Sequence, residues 1–66
     1  MKLKCTEPAF GSITKDLTED QLASLCLELN GGGYNEDQTR AAIEFQRNLL
    51  DGHKVTARGA TWEIVE

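Results

Sequence analysis

Residue types that carry enzyme chemistry are scarce in this chain of 66 residues. It has one histidine, His53, and two cysteines, Cys5 and Cys26. Neither cysteine has the paired spacing of a zinc site. No serine or cysteine pattern places a nucleophile against His53, as covalent catalysis would require. We therefore predict a protein without catalytic residues, without a metal site and without a cofactor.

The motifs that bind phosphate or calcium are incomplete. Gly31 to Gly33 precede a helix, but they lack the preceding strand and the lysine of a P-loop, and Glu36 and Asp37 would repel an anion there. The segment 30–41 also lacks the alternating carboxylates of an EF-hand. We predict that the glycine loop acts as a helix cap or hinge.

Long hydrophobic runs are absent as well. No segment approaches the roughly 18 apolar residues of a membrane span, and residues 1–5 lack the apolar run of a signal peptide. Cys5 and Cys26 occupy apolar positions of predicted elements, where a free thiol behaves as a small buried hydrophobe. We expect a cytoplasmic protein with reduced cysteines and no membrane partner.

Positive charge is in short supply, with seven Lys and Arg against eleven Asp and Glu and a formal net charge of −4. This balance argues against binding to a phosphate backbone. A hydrophobic share of 39% and a charged share of 27% are typical of a soluble globular protein. The length suits one domain, residues 1–66, with one small core.

The stretch from Thr18 to Asp51 predicts a helix, a glycine loop and a second helix. Thr18 and Gln21 have the spacing of a capping box, and Asn35 is a favourable N-cap for the second helix. The apolar residues of the second helix form a wide stripe that we predict to face the core, made of Ala41, Ala42, Ile43, Phe45, Leu49 and Leu50.

Charged residues of alternating sign occupy the other face of the second helix. They recur three or four positions apart, which is the spacing of neighbours on a helix surface. We predict a solvated face made of Glu36, Arg40, Glu44, Arg47 and Asp51.

Alternating hydrophobicity predicts strands at both ends of the chain. Leu3 and Cys5 belong to a first strand that ends at Pro8. Beyond Gly52 the pattern predicts a hairpin. If Arg58-Gly59 is a two-residue turn, the pairs across the hairpin are Ala57 with Ala60, Val55 with Trp62 and Lys54 with Glu63. A longer loop with Gly59 in the left-handed conformation is the alternative.

These elements predict an α+β fold of order β-α-α-β-β, with both helices on one face of a small three-stranded antiparallel sheet that ends in the hairpin. Phe10 and Ile13 should anchor the connection 10–16 over the core. Alternatively, the first strand stays unpaired and the hairpin alone packs on the helices. The residues predicted to be buried together are Leu25, Phe45, Leu49, Val55 and Trp62.

Binding is the function class that these exclusions leave. The first hypothesis is a small acidic, non-enzymatic protein-binding module, an accessory or inhibitor protein of the kind that phages and mobile elements make, which covers a surface on a larger partner protein. Tyr and Arg are favoured anchors of protein interfaces. The predicted partner-binding residues are therefore Tyr34 in the glycine loop, where it could instead be a hydrophobic staple of the second helix, and Arg40 and Arg47 on its charged face.

The second hypothesis is a regulator that binds nucleic acid, because helix, turn, helix and hairpin are also the order of elements in a winged helix-turn-helix. The second helix would then enter the major groove, and the hairpin tip would contact phosphate or the minor groove. The acidic side chains on that helix argue against this function. Its predicted nucleic-acid-binding residues are Gln38, Thr39, Arg40 and Arg58.

Overall fold

The computed structural model describes residues 1–65. Its elements follow in the order β1 (Lys2–Glu7), β2 (Gly11–Asp16), α1 (Glu19–Leu29), α2 (Glu36–Leu50), β3 (Val55–Ala57) and β4 (Ala60–Ile64). The predicted α+β class, with two helices and a C-terminal hairpin, is confirmed. The sheet has four antiparallel strands, one more than predicted, in the spatial order β2-β1-β4-β3.

Both helices begin where the sequence predicts. The Thr18 hydroxyl accepts from the Gln21 backbone N–H at 3.2 Å, and the Gln21 side chain accepts from the Thr18 N–H at 2.9 Å. This reciprocal pair satisfies two N–H groups that the first turn leaves without helical partners. At α2, the Asn35 side chain accepts from the Gln38 N–H at 2.9 Å.

The additional strand is β2, which corrects the prediction that residues 10–16 form a connection. Glu7 to Gly11 make a tight turn, in which the Phe10 N–H donates to the Glu7 carbonyl and Gly11 has a φ of 86°. β2 then pairs along its whole length with β1, from Glu7 opposite Gly11 to Lys2 opposite Asp16. Phe10 and Ile13 are not core anchors, since they are 85% and 70% exposed.

The hairpin confirms the predicted register, with Val55 opposite Trp62 and Ala57 opposite Ala60. Lys54 lies before β3, so its predicted pairing with Glu63 is not part of the ladder. β4 also pairs with β1, which places Cys5 opposite Trp62. The first strand is therefore paired on both sides, and the alternative with an unpaired first strand is wrong.

The core lies between the helices and the inner face of the sheet. Its buried residues include Phe45 and Leu49, as predicted, while Leu25, Val55 and Trp62 are only partly buried and pack against it. Leu22 and Leu49 have no exposed surface at all. The complete buried cluster is Leu3, Leu22, Cys26, Ala42, Phe45 and Leu49.

One part of the predicted core stripe of α2 is wrong. Ile43 and Leu50 are each 51% exposed. They lie near the edge of the stripe, on the side that turns away from α1 and the sheet, so neither element covers them. The inner face of α2 is consequently narrower than its hydrophobic pattern predicts, and the outer face is more apolar.

Candidate protein-binding surfaces

The outer face of α2 combines apolar and cationic side chains. Arg40, Ile43, Arg47 and Leu50 are all exposed and follow one another at intervals of three, four and three residues. This spacing places them in a single stripe along the helix. We call these four residues the α2 outer stripe.

The two arginines of this stripe have no ionic partner among residues 1–65. Among residues 1–65, the one ion pair within 4.0 Å joins the Met1 amino group to Asp16. Glu36 and Glu44 therefore do not hold the guanidinium group of Arg40, although their spacing would allow it. The Arg40 and Arg47 side chains keep their donors available for an external acceptor, such as a carboxylate or a backbone carbonyl.

Tyr34 lies at one end of the same helix and is 90% exposed. A staple residue would be packed against the first turns of α2, so this exposure argues against the staple interpretation. The ring instead covers Gly32, where a Cβ atom would lie 2.9 Å from Tyr34 Cε2. The loop thus presents an aromatic ring to the exterior next to a residue that has no side chain.

The glycine loop itself is built around Gln38. Gly31, Gly32 and Gly33 all have positive φ angles, between 75° and 101°, a conformation that residues with a Cβ atom rarely adopt. The Gln38 side-chain oxygen accepts from the Tyr34 N–H at 2.7 Å. Gln38 therefore holds the loop to the start of α2, as expected for a loop that caps and connects the helices.

The residues of the nucleic-acid hypothesis are only partly free to reach a ligand. Gln38 is half-buried and bonded to the loop, whereas Thr39 and Arg40 are exposed in the first turns of α2. Arg58, at the tip of the hairpin, donates from Nη2 to the Glu28 carbonyl oxygen at 3.1 Å. In a winged helix-turn-helix this hairpin would be the wing. Here the guanidinium group at its tip contacts the C-terminal end of α1.

A second open surface, to which no residue of the α2 outer stripe contributes, lies between α1 and the β1–β2 end of the sheet. It is a groove of about 650 Å³. Its apolar lining consists of Leu3, Cys5, Ile13, Leu17, Leu25 and Trp62, and its charged lining consists of Lys15, Asp16, Asp20 and Glu28. The groove exists because the helices do not cover β2, all of whose residues are exposed.

Neither cysteine has the environment of a nucleophile. Burial raises the pKa of the Cys26 thiol. The pKa of Cys5 is also raised, first by burial and then by the charge of Glu7. Both sulfurs are free thiols, and their raised pKa values lower the fraction of reactive thiolate at neutral pH.

Within residues 1–65, no three His, Cys, Asp or Glu side chains cluster in a way that could hold a metal ion.

The exposure of Phe10, Ile13, Ile43 and Leu50 was not predicted from the sequence. Ile13 lines the groove, and Ile43 and Leu50 belong to the α2 outer stripe. A sequence signal was present for the turn that contains Phe10 and for the strand that contains Ile13, because Pro8 and Gly11 are the residues that a tight type I hairpin turn favours. Such a turn would have made residues 11–16 a strand. For Ile43 and Leu50 the helical pattern carries no equivalent signal, since both fit the edge of a broad apolar face.

None of the helices in the described chain combines the length and hydropathy required to cross a bilayer. In comparisons with protein-family models, with curated proteins and with solved structures, nothing matched the chain.

Proposed function

We propose that this protein is a small non-enzymatic binding module, an accessory or inhibitor protein that covers a surface on a larger partner protein. Its contact surface is the α2 outer stripe together with Tyr34. The single observation that supports this proposal most is the composition of the stripe, in which two half-exposed aliphatic side chains alternate with two arginines that have no ionic partner in the described part of the chain.

Interface energetics explain why this composition suits a protein partner. Aliphatic side chains that stay half-exposed gain free energy when a partner covers them, at about 25 cal/mol for each Å² of apolar surface. Arginine and tyrosine add directional hydrogen bonds and are enriched among the residues that dominate binding energy. Charged residues at the rim, such as Glu36 and Glu44, would set orientation and specificity.

The test uses the full chain with a photo-crosslinking residue at position 43, which is exposed, and a control crosslinker at position 61 on the opposite face of the sheet. A partner captured from position 43 and not from position 61 supports the proposal. Its affinity is then measured with Tyr34→Ala, Arg40→Ala and Arg47→Ala. Each should lose about 1–2 kcal/mol of binding free energy, the range expected of interface anchors.

Lys54→Ala is the matched control, because Lys54 is an exposed cation outside the α2 outer stripe. It should leave the affinity unchanged. Equal losses from Lys54→Ala and Arg47→Ala would show that only net charge matters and would refute the proposed surface.

Nucleic-acid binding is the alternative proposal, and the same variants test it. A nucleic-acid complex would weaken steeply with added salt, since protein cations displace condensed counterions. Submicromolar binding of a labelled DNA duplex that survives physiological salt and is lost in Arg58→Ala would favour the alternative. Loss of protein binding in Arg47→Ala, with no measurable duplex binding, would favour the first proposal.

A further inference from the structure

The outer edge of β2 has unpaired backbone groups. The Leu17 N–H donates to the Met1 carbonyl, and the Met1 nitrogen donates to the Leu17 carbonyl. Backbone bonding alternates along an antiparallel pair. The N–H and C=O groups of Ser12, Thr14 and Asp16 therefore point away from β1, and none of them bonds to another element within residues 1–65.

This edge adjoins the groove between α1 and the sheet. Ile13, the central apolar residue of β2, is 70% exposed and lines the groove. A strand added beside β2 would lie about 4.8 Å away, and its inward side chains would reach the apolar lining at Ile13. An added helix would cover the same lining but would leave the backbone groups of the edge unpaired.

Charge further restricts what can bind here. The charged lining of the groove has three carboxylates, Asp16, Asp20 and Glu28, and one ammonium group, Lys15. Asp16 is already paired with the Met1 amino group at 3.2 Å, so Asp20 and Glu28 are the two carboxylates that no cation within residues 1–65 holds. The complement of this lining is a segment with lysine or arginine beside its apolar residues.

A second copy of the chain fits less well. Antiparallel pairing of two β2 strands about Thr14 would put Lys15 of one copy opposite Ile13 of the other, and each copy has a net charge of −4. An inward-pointing charge on an edge strand is a common obstacle to self-pairing.

We propose that the edge of β2 and the adjoining groove form a second binding site, which takes an extended basic segment of a partner protein as a fifth strand. The segment bonds to the backbone of Ser12, Thr14 and Asp16. It places an apolar side chain in the groove against Ile13, and its lysine or arginine side chains lie near Asp20 and Glu28. This site is independent of the α2 outer stripe.

The probe for the test is a displayed library of random dodecapeptides, selected on the purified full chain. Enriched peptides should alternate apolar residues with lysine or arginine, and a synthetic copy should bind in solution. Thr14→Pro removes one outward N–H without removing a bond between β1 and β2, and proline is tolerated at such edge positions. It should weaken the peptide about five- to tenfold, which corresponds to one lost hydrogen bond.

Ile13→Ser should weaken the same peptide by a similar factor, because it removes the apolar contact and the exposed position tolerates the change. Arg47→Ala should have no effect, and this variant distinguishes the site from the α2 outer stripe. If Thr14→Pro disturbs the fold, a peptide with N-methyl groups on its bonding edge replaces it and should bind at least tenfold more weakly than the unmodified peptide.

Three results would overturn the proposal. The first is enrichment of peptides with helical apolar spacing whose binding ignores Thr14→Pro. The second is the absence of any enriched peptide. The third is a dimer of the chain in solution that Thr14→Pro dissociates, which would make the edge a self-association surface.

Discussion

Arg58 is the residue with the least favourable backbone conformation in the described chain. Its φ of 52° and the φ of 75° at Gly59 form a hairpin turn in which both central residues are left-handed. A residue with a Cβ atom pays about 1–2 kcal/mol for this conformation. The hydrogen bond from Arg58 to the Glu28 carbonyl offsets part of that cost, although the bond is exposed to water.

Replacing Arg58 with asparagine should therefore stabilise the protein, because asparagine tolerates the left-handed conformation better and Asn-Gly is the preferred sequence for this turn. We expect Arg58→Asn to gain about 0.5–1 kcal/mol, which would raise the melting temperature by several degrees in a domain of this size. Thermal unfolding followed by circular dichroism measures the change. A lower melting temperature would show that the bond to Glu28 outweighs the backbone strain.

The raised pKa of Cys26 predicts how stability depends on pH. Below the unfolded-state thiol pKa of about 8.5, both states are protonated and the contribution of the buried neutral thiol is fully present. Above that value the unfolded chain ionises first, so the contribution is lost as pH rises through the folded-state pKa. The contribution of Cys26 to the free energy of unfolding should be constant between about pH 7 and 8.5 and should then fall.

Urea unfolding at several pH values checks this expectation, with Cys26→Ala as the control. The variant should be less stable at every pH but should show a shallower decline above pH 8.5. Cys5, whose pKa is also raised, is present in both proteins, so the difference between the two slopes isolates the Cys26 thiol. If the parent and Cys26→Ala lose stability equally steeply above pH 8.5, burial does not raise the pKa of Cys26.

At the scale of single elements, β2 is a strand with one partner. Its bonding pattern predicts an alternation in amide hydrogen exchange. The N–H groups of Ile13, Lys15 and Leu17 point to β1 and should exchange slowly, whereas those of Ser12, Thr14 and Asp16 should exchange rapidly. Exchange monitored by NMR distinguishes the two sets directly. Uniformly fast exchange across residues 12–17 would mean that β2 is not stably paired in solution.

The two faces of α2 should differ in their contributions to stability. Phe45→Ala removes a buried ring and should cost about 3–5 kcal/mol. Ile43→Ala changes a side chain that is 51% exposed and should cost less than about 1 kcal/mol. Denaturant unfolding of both variants tests the contrast. A large loss from Ile43→Ala would place that residue in the core instead of on a binding surface.

At the scale of the whole molecule, the fold holds together without a covalent bridge. Cys5 and Cys26 are free thiols. A domain of this size has a total free energy of unfolding of about 5–10 kcal/mol, and a disulfide, if present, would contribute a large part of it. We expect the melting temperature to be the same with and without a reducing agent. A fall of several degrees on reduction would reveal a disulfide between Cys5 and Cys26.

The placement of the helices also belongs to this scale. α2 packs on the β4–β3 end of the sheet and α1 packs on α2, so the core lies at that end. Neither helix covers β2. The groove and the unpaired edge of β2 both follow from this offset, and no residue of the α2 outer stripe lines the groove. The protein therefore has two separate surfaces with exposed apolar side chains around a single core.

Features that depend on neighbours in the chain could be predicted from the sequence. The capping box at Thr18 joins residues three positions apart, and the register of the hairpin follows from a two-residue turn. The helix–loop–helix order and the burial of Cys26 follow from the same short-range patterns, whereas Cys5 is only partly buried. Each of these depends on groups that must meet in any fold containing the element.

The exposure of Ile13, Ile43 and Leu50 depended on the tertiary structure. β2 has only one central apolar residue, so no alternating pattern indicates a strand there. Its hydrogen bonds to β1 form only when both segments adopt the extended conformation. A helix with a wide apolar face can bury either side of that face. Which side is covered depends on where the neighbouring helix and the sheet come to lie, because burial is decided by contacts between elements and not by the periodicity of one element.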